Sequence, residues 1–345
     1  MTTFIQLHML TSYPPANLNR DDLGRPKTAR MGGAERLRVS SQSLKRHWRT
    51  SDLFQEAAAG HVGIRTKRLG VTIRERLEAA GIKEKDARQW ARDIADVFGA
   101  LKKDSEEIEQ LAHIGPEEKS AVDDLVASLI EQSRAPQEDE LALLRKNPTA
   151  VDVALFGRML AADPAFNVEA ACQVAHAITV HPVVIEDDYF TAVDDLNNGD
   201  EDRGAAHIGE TGFAAGLFYS YICINRDQLV ANLSGNGKLA DRAIAALAEA
   251  AVKVAPTGKQ NSFGSRAYAS YVLAEKGTQQ PRSLSVAFLK PVEGSDQERE
   301  AISAIDSQVE RFDSAYGACA DTRYTLNVLA GEGSFGELLQ FLRSE

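Results

Sequence analysis

At 345 residues, 43% apolar and 26% charged, the chain is long enough for a sizeable core, in one or two domains, and has the composition of an ordinary globular protein. It has no run of about 18 apolar residues, and its N-terminus has neither a basic n-region nor a small-residue cleavage site, so no transmembrane helix, no membrane partner and a cytoplasmic location are expected. The formal charge of −11 argues against nucleic acid, but residues 1–68 hold twelve Lys and Arg against five Asp and Glu, a local balance of +7 that leaves −18 for the rest.

Residues 4–10 alternate, with Ile5, Leu7 and Met9 on one face and Gln6 and His8 on the other, which predicts a strand. Residues 13–34 carry Pro14-Pro15, Gly32-Gly33 and several Asn and Asp, and read as a long loop of the kind that is more often functional than idle. A short strand is expected over 36–39, and then a helix capped by Ser40 or Ser41. Residues 72–146 read as wholly helical, with Trp90, Ile94 and Val97 in one apolar stripe and Val122, Leu125, Val126, Leu129 and Ile130 in another. Their acidic character is that of a solvated outer face.

Residues 149–160 fit strand or helix, and 167–178 fit a short helix capped by Asn167. The Asp-, Asn- and Gly-rich stretch 184–212 reads as an extended excursion. Strands follow at 218–224, 266–275, 283–289 and 322–329, and helices at 237–255 and around Ile302 to Phe312. Few strands mixed irregularly with helices predict an α+β fold. No glycine-rich nucleotide loop is present. Cys172, Cys223 and Cys319 lack metal-type spacing and read as reduced core residues, and His176 and His181 lack a third ligand at metal spacing and read as packing or surface residues.

The chemistry concentrates between Arg20 and Arg49. On a helix starting at Ser41, Gln42, Lys45, Arg46 and Arg49 fall at i, i+3, i+4 and i+7 and share a face, while Leu44 and Trp48 anchor another. A helix N-terminus presents unpaired N–H groups and a positive dipole end, both suited to phosphate. Arg20, Lys27 and Arg30 precede it on the loop. Phosphate contacts of this kind position a strand without reading its sequence.

The stretch LNRDDLGRPKTARMGGAERLRVSSQSLKRHWR resembles the signature of the CasC-type backbone subunit of type I-E Cascade, a CRISPR complex. The residues that carry it are Leu18 to Asp22, Gly32-Gly33, Arg36, Arg38 and Ser40 to Arg46. Further matches lie at Arg65-Thr66, Gly157-Arg158-Met159, Ala175 to Thr179, Phe190 to Asp195 and Gly258-Lys259-Gln260. The resemblance implies an RRM-like (ferredoxin-like) palm from 1–50 and 215–345, a helical fingers insertion over 51–150, and a web and thumb over 151–214. It implies copies stacking head to tail along a guide RNA (crRNA), target DNA met by guide pairing, and large, small, Cas-five-type and Cas-six-type subunits as partners. It implies no catalytic residue, cofactor or metal.

Ser40, Gln42, Lys45 and Arg49 are the expected phosphate contacts, with Arg20 close by and Lys27 and Arg46 in support. Met159 is expected as a wedge against bases, and Phe190 and Thr191 as thumb residues at a kink in the RNA. Lys259, Gln260 and Asn261 are further candidates, as are Arg65 and Arg68. The acidic 102–140 region departs from relatives whose basic fingers guide duplex DNA. The alternatives are a metal-dependent RNA endonuclease of the same superfamily using Asp21 and Asp22, and a metabolic enzyme, for which no catalytic constellation is evident.

Overall fold

Alternation at the start of the chain builds the centre of a sheet. The computed structural model describes residues 2–147, 149–160, 163–192 and 207–343. Strand β1 spans Phe4–Ala16, so the loop expected from residue 13 begins later. Within that loop lies a further strand: β2 (Thr28–Met31) is hairpinned to β3 (Ala34–Val39), with Met31 opposite Ala34. Gly32 and Gly33 make the two-residue turn with φ of +59° and +80°, the positive values such a turn demands. Helix α1 (Ser41–Arg49) follows directly, then α2 (Asp52–Ala57) under a Ser51 cap.

The next stretch is not wholly helical. It runs β4 (Ile64–Thr66), α3 (Leu69–Ala79), α4 (Glu84–Asp96), β5 (Ala112–Ile114) and α5 (Pro116–Gln132), with Arg65 of β4 opposite His113 of β5. Three-residue strands are too short to show a period, which is why the helical reading absorbed them. Both expected stripes do face inward, into a hydrophobic cluster that Ile73, Leu77, Trp90, Ile94, Val122, Val126 and Leu129 share.

Residues 149–160 resolve as a helix, α6 (Val151–Phe156). The helix expected over 167–178 is absent: β6 (Cys172–Val174) and β7 (Ala177–Thr179) lie there, and Asn167 Oδ1 accepts the Leu160 N–H at 2.6 Å instead of capping. Then come β8 (Glu186–Ala192) and the long β9 (His207–Asn225), paired antiparallel, with Asp194 and Asp195 outside the described residues. The chain continues through α7 (Arg226–Asn232), α8 (Gly237–Lys253), α9 (Gln260–Phe263) and β10 (Ala269–Gly277). It ends with α10 (Gln297–Tyr316), β11 (Thr322–Asn327) and α11 (Phe335–Arg343). The strand expected over 283–289 is a 3-10 turn at Ser285–Phe288, with Leu284 and Phe288 buried.

Among the described residues the main sheet runs β11–β10–β1–β9–β7–β3–β2, antiparallel at every pairing, with β6 and β8 also on β9. The result is a mixed helix-and-sheet fold on an antiparallel sheet. One face packs Ile5, Leu7 and Met9 with the apolar side of α8 and with Leu44 and Trp48 of α1. The other packs Leu10, Tyr219, Tyr271 and Leu273 with Ala301, Ile302, Ile305 and Val309 of α10. Each large aliphatic side chain so buried contributes about 1.5–3 kcal/mol. Cys172 and Cys223 are buried free thiols, but Cys319, expected in the core, is partly exposed.

Covering both faces also buries the polar side of β1. Gln6 and His8 are 3% and 0% exposed. His8 Nε2 lies 3.1 Å from Glu275 Oε2, its Nδ1 is 2.9 Å from the Tyr219 hydroxyl, and Glu275 also accepts from Arg282 and from Arg323 Nε at 2.8 Å. These partners fit a neutral ring that donates from Nε2 and accepts at Nδ1, and burial pushes its pKa down. Burial would raise the Glu275 carboxyl, but hydrogen bonds from His8, Arg282 and Arg323 hold it well below the usual carboxylate range. A depressed folded-state pKa gives stability that is present above the unfolded value and is lost as pH falls toward the folded one. Glu275→Gln should therefore lower stability at about pH 7 by roughly 2–4 kcal/mol, and the gap to wild type should close on acidification below about pH 4. Urea midpoints across pH test this; a gap that stays constant into acid would refute it.

Candidate nucleic-acid interface

The sequence SSQSLKRHWR fixes its own helix. Ser40 is the cap residue in extended conformation (φ −69°, ψ 147°), its Oγ accepts the Ser43 N–H at 3.3 Å, and its own N–H donates to Asn19 Oδ1 at 2.9 Å. Leu44 and Trp48 are 5% and 2% exposed, so α1 is held by its apolar side. Gln42 and Arg46 are exposed and Lys45 half-buried on the other side. Arg49 differs from a free ridge residue: its Nη1 lies 3.3 Å from Asp152 Oδ2 and its side chain is 16% exposed.

Asp152 is a junction. It also takes His113 Nε2 at 2.7 Å and the Gly63 N–H at 2.8 Å, so it joins α1, the β4–β5 pair and α6. Burial works to raise the Asp152 carboxyl, but His113, Gly63 and Arg49 together hold it below the ordinary value.

The sheet brings distant cations to the same side as Lys45. Arg38 N–H donates to the Lys27 carbonyl at 2.8 Å, and Arg38 Nη1 donates to His176 Nδ1 at 2.9 Å. His176 is exposed as a residue; partial desolvation of its ring, and then the charges of Arg38, Lys27 and Lys45, push its pKa down. Lys45 Nζ stands 6.0 Å from the centre of the Phe156 ring, an aromatic face beside the patch. Arg38 was quoted in the sequence signature but not singled out, and His176 was read as a packing or surface residue. The pairing of Arg38 with Ile178 across β3 and β7 is what joins them. Arg30 is exposed on β2 opposite Glu35.

A second cleft opens beside α1, lined by Arg20, Asp21, Asp22, Ser43, His47 and Lys259. His47, which sequence reasoning missed, sits a helical turn from Ser43. Its Nδ1 is 2.7 Å from the Ser43 carbonyl oxygen and its Nε2 2.9 Å from Thr257 Oγ1, and burial holds its pKa below the usual histidine value. The loop carrying Lys259 can approach because residue 258 is glycine: a Cβ there would lie 2.4 Å from the Leu18 carbonyl oxygen. Gln260 Oε1 accepts from Ser265 Oγ at 3.2 Å, while Asn261 is exposed. Asp21 Oδ1 accepts the Leu23 and Arg25 N–H groups, each at 2.9 Å, so this carboxylate closes its own turn. Among the described residues no group of three or more His, Cys, Asp or Glu is placed to hold a metal ion.

The remaining candidates stand on other elements. Met159 is 84% exposed, which removes the core as its location, and it lines a groove with Phe98, Ile108, Leu111 and Leu160. Phe190, 43% exposed, stands on β8 opposite Gly209, where the missing side chain leaves room for its ring, and Thr191 follows it, exposed. Arg65 and Arg68 are exposed near the β4–β5 pair, with Arg68 4.0 Å from Glu75. No helix of the described residues is long and apolar enough to cross a membrane.

The family model described as "CT1975-like protein" matches residues 5–336. No curated protein matches the chain. Among solved structures, a chain of a "CRISPR RNA-guided surveillance complex, pre-nicking" superposes with a TM-score of 0.82 at 31% identity, covering 99% of each chain. A chain of a "CRISPR RNA-guided surveillance complex" superposes with a TM-score of 0.64 at 28% identity, covering 99% of this chain and 98% of that one.

Proposed function

The chain belongs to the CT1975-like protein family, the Cascade backbone-subunit family that its N-terminal block resembles, and on that premise we propose that it is the crRNA-binding backbone subunit of a CRISPR RNA-guided surveillance complex. The observation that carries the reading is the gathering of Lys27, Arg38 and Lys45 beside a serine-capped helix whose apolar side is fully committed to the core. Such a face holds a ribose-phosphate chain without reading bases, as a guide of arbitrary sequence requires. Met159 and Phe190 supply exposed apolar and aromatic surfaces that stack on any base.

In this reading residues 1–50 and 215–345 are an RRM-like palm, 51–150 the fingers, and 151–214 the web and thumb. The separate hydrophobic cluster of residues 69–144 supports the fingers assignment. Copies polymerise along the guide in the type I-E manner, present it in segments to target DNA, and work in the cytoplasm with the other Cascade subunits. The subunit holds RNA and does not cleave it; the turn-closing use of Asp21 supports binding over a two-carboxylate nuclease.

Purified protein should bind labelled single-stranded RNAs of unrelated sequence with affinities within a few-fold of one another. Affinity should fall with salt at a slope of about −0.7 per phosphate contacted. Absence of binding at low salt, or Mg²⁺-dependent cleavage lost in Asp21→Ala, would overturn the reading.

A further inference from the structure

We propose that Arg38 and His176 form a proton-linked phosphodiester subsite, in which an RNA phosphate inserts between guanidinium and imidazole and the ring takes up one proton from solvent. The inference rests on the RNA-binding reading above and adds two residues and a pH response to it. The geometry is unusual for an arginine. Arg38 Nη1 donates to His176 Nδ1 at 2.9 Å and Nε to the Thr28 carbonyl at 3.3 Å, with no carboxylate among its hydrogen-bond partners in the described residues.

A guanidinium only donates, so His176 Nδ1 must accept, and the ring in this arrangement is neutral with its proton on Nε2. The charges that act on it come from Arg38 on β3, Lys27 just before β2, and Lys45 on α1, and all are positive. His176 is exposed as a residue, and partial desolvation of the ring first, then these cations, hold its pKa below the ordinary histidine value. An imidazole lone pair is a weaker acceptor than a phosphate oxygen, and charge-assisted bonds to phosphate are the stronger kind. An arriving phosphate takes over the Arg38 donor and offers an acceptor to Nδ1. Its negative charge reverses the repulsion that kept the ring neutral. One proton then adds to Nδ1, and both nitrogens become donors.

The sign follows by linkage. Binding raises the pKa of the ring, so bound RNA favours the protonated form and affinity must rise as pH falls through the bound-state value. A labelled oligouridylate, whose bases do not titrate in this range, should bind wild-type protein about tenfold more tightly at about pH 6 than at about pH 8. His176→Gln should flatten that dependence. Arg38→Gln, with its fold verified by circular dichroism, should weaken binding at both pH values.

RNA binding by wild type at equal affinity across this range overturns the subsite and leaves RNA binding standing. So does an unchanged pH dependence in His176→Gln, or full affinity in Arg38→Gln. No binding by wild type at either pH overturns the RNA-binding reading itself, and the subsite with it.

Discussion

Arg158→Ala is expected to destabilise the protein by about 3–5 kcal/mol, because it strands a buried carboxylate. Arg158 and Glu118 are 1% and 0% exposed at the side chain, and their closest N–O distance is 2.8 Å. Glu118 keeps two backbone donors without its partner, Gly115 N–H and Arg145 N–H, each at 2.8 Å. Those bonds soften the loss but do not neutralise the charge. The arginine also serves the Arg145 carbonyl at 2.8 Å and the Phe166 carbonyl at 3.1 Å, so its removal leaves acceptors unpaired as well. The consequence reaches the candidate interface. Arg158 is pinned to Val168 by a reciprocal backbone pair at 2.9 Å each way, and Met159 projects from the next position. Loss of the pair should therefore loosen the backbone that presents Met159. Urea unfolding gives the stability, and the apolar double replacement Arg158→Leu with Glu118→Leu should recover most of it, since a packed apolar pair avoids the desolvation of two charges. A loss below about 1 kcal/mol for the single variant would show that the pair is not holding this junction.

The N-terminal block was readable because its information is local. A serine cap, an apolar pair four residues apart and a polar face complete α1 within ten residues, and the observed helix is Ser41–Arg49. The alternation around β1 and β9 was readable for the same reason. What the sequence hid is non-local. Gln6 and His8 read as a polar face, yet their partners Tyr221, Arg282, Tyr219 and Glu275 lie more than 200 residues away in the chain. The alanine-rich segment before Val180 looked helical because propensity favours it, and pairing with β9 overrode that preference in two strands of three residues each. Arg49 was placed correctly on its face, but nothing in the local pattern announces Asp152, 103 positions later. His176 is exposed, in keeping with the surface role read for it, but nothing in its local pattern announces Arg38, 138 positions earlier, whose Nη1 lies 2.9 Å from its Nδ1.

Replacing Lys27 and Lys45 together by glutamine should weaken RNA binding on the order of 10–100-fold near 0.1 M salt and reduce the magnitude of the salt slope by about 1.4, two contacts at about 0.7 each. Glutamine keeps much of the side-chain stem, so packing against Phe156 is largely retained while the charge is removed. Neither lysine forms an ion pair among the described residues, so the fold should stand. The net charge of −11 does not oppose this prediction. The Debye length is about 8–10 Å at such salt, and carboxylates farther away than that are screened from the patch. Arg49→Gln is the discriminating comparison. Its guanidinium is held by Asp152, so its loss should lower stability by removing one of the three partners of that buried carboxylate, His113 and Gly63 N–H remaining, and should change the salt slope less than either lysine does. If the double lysine variant kept the wild-type slope while Arg49→Gln reduced it, the phosphate track would have to run along the C-terminal turn of α1 and away from the Lys27–Arg38–Lys45 cluster.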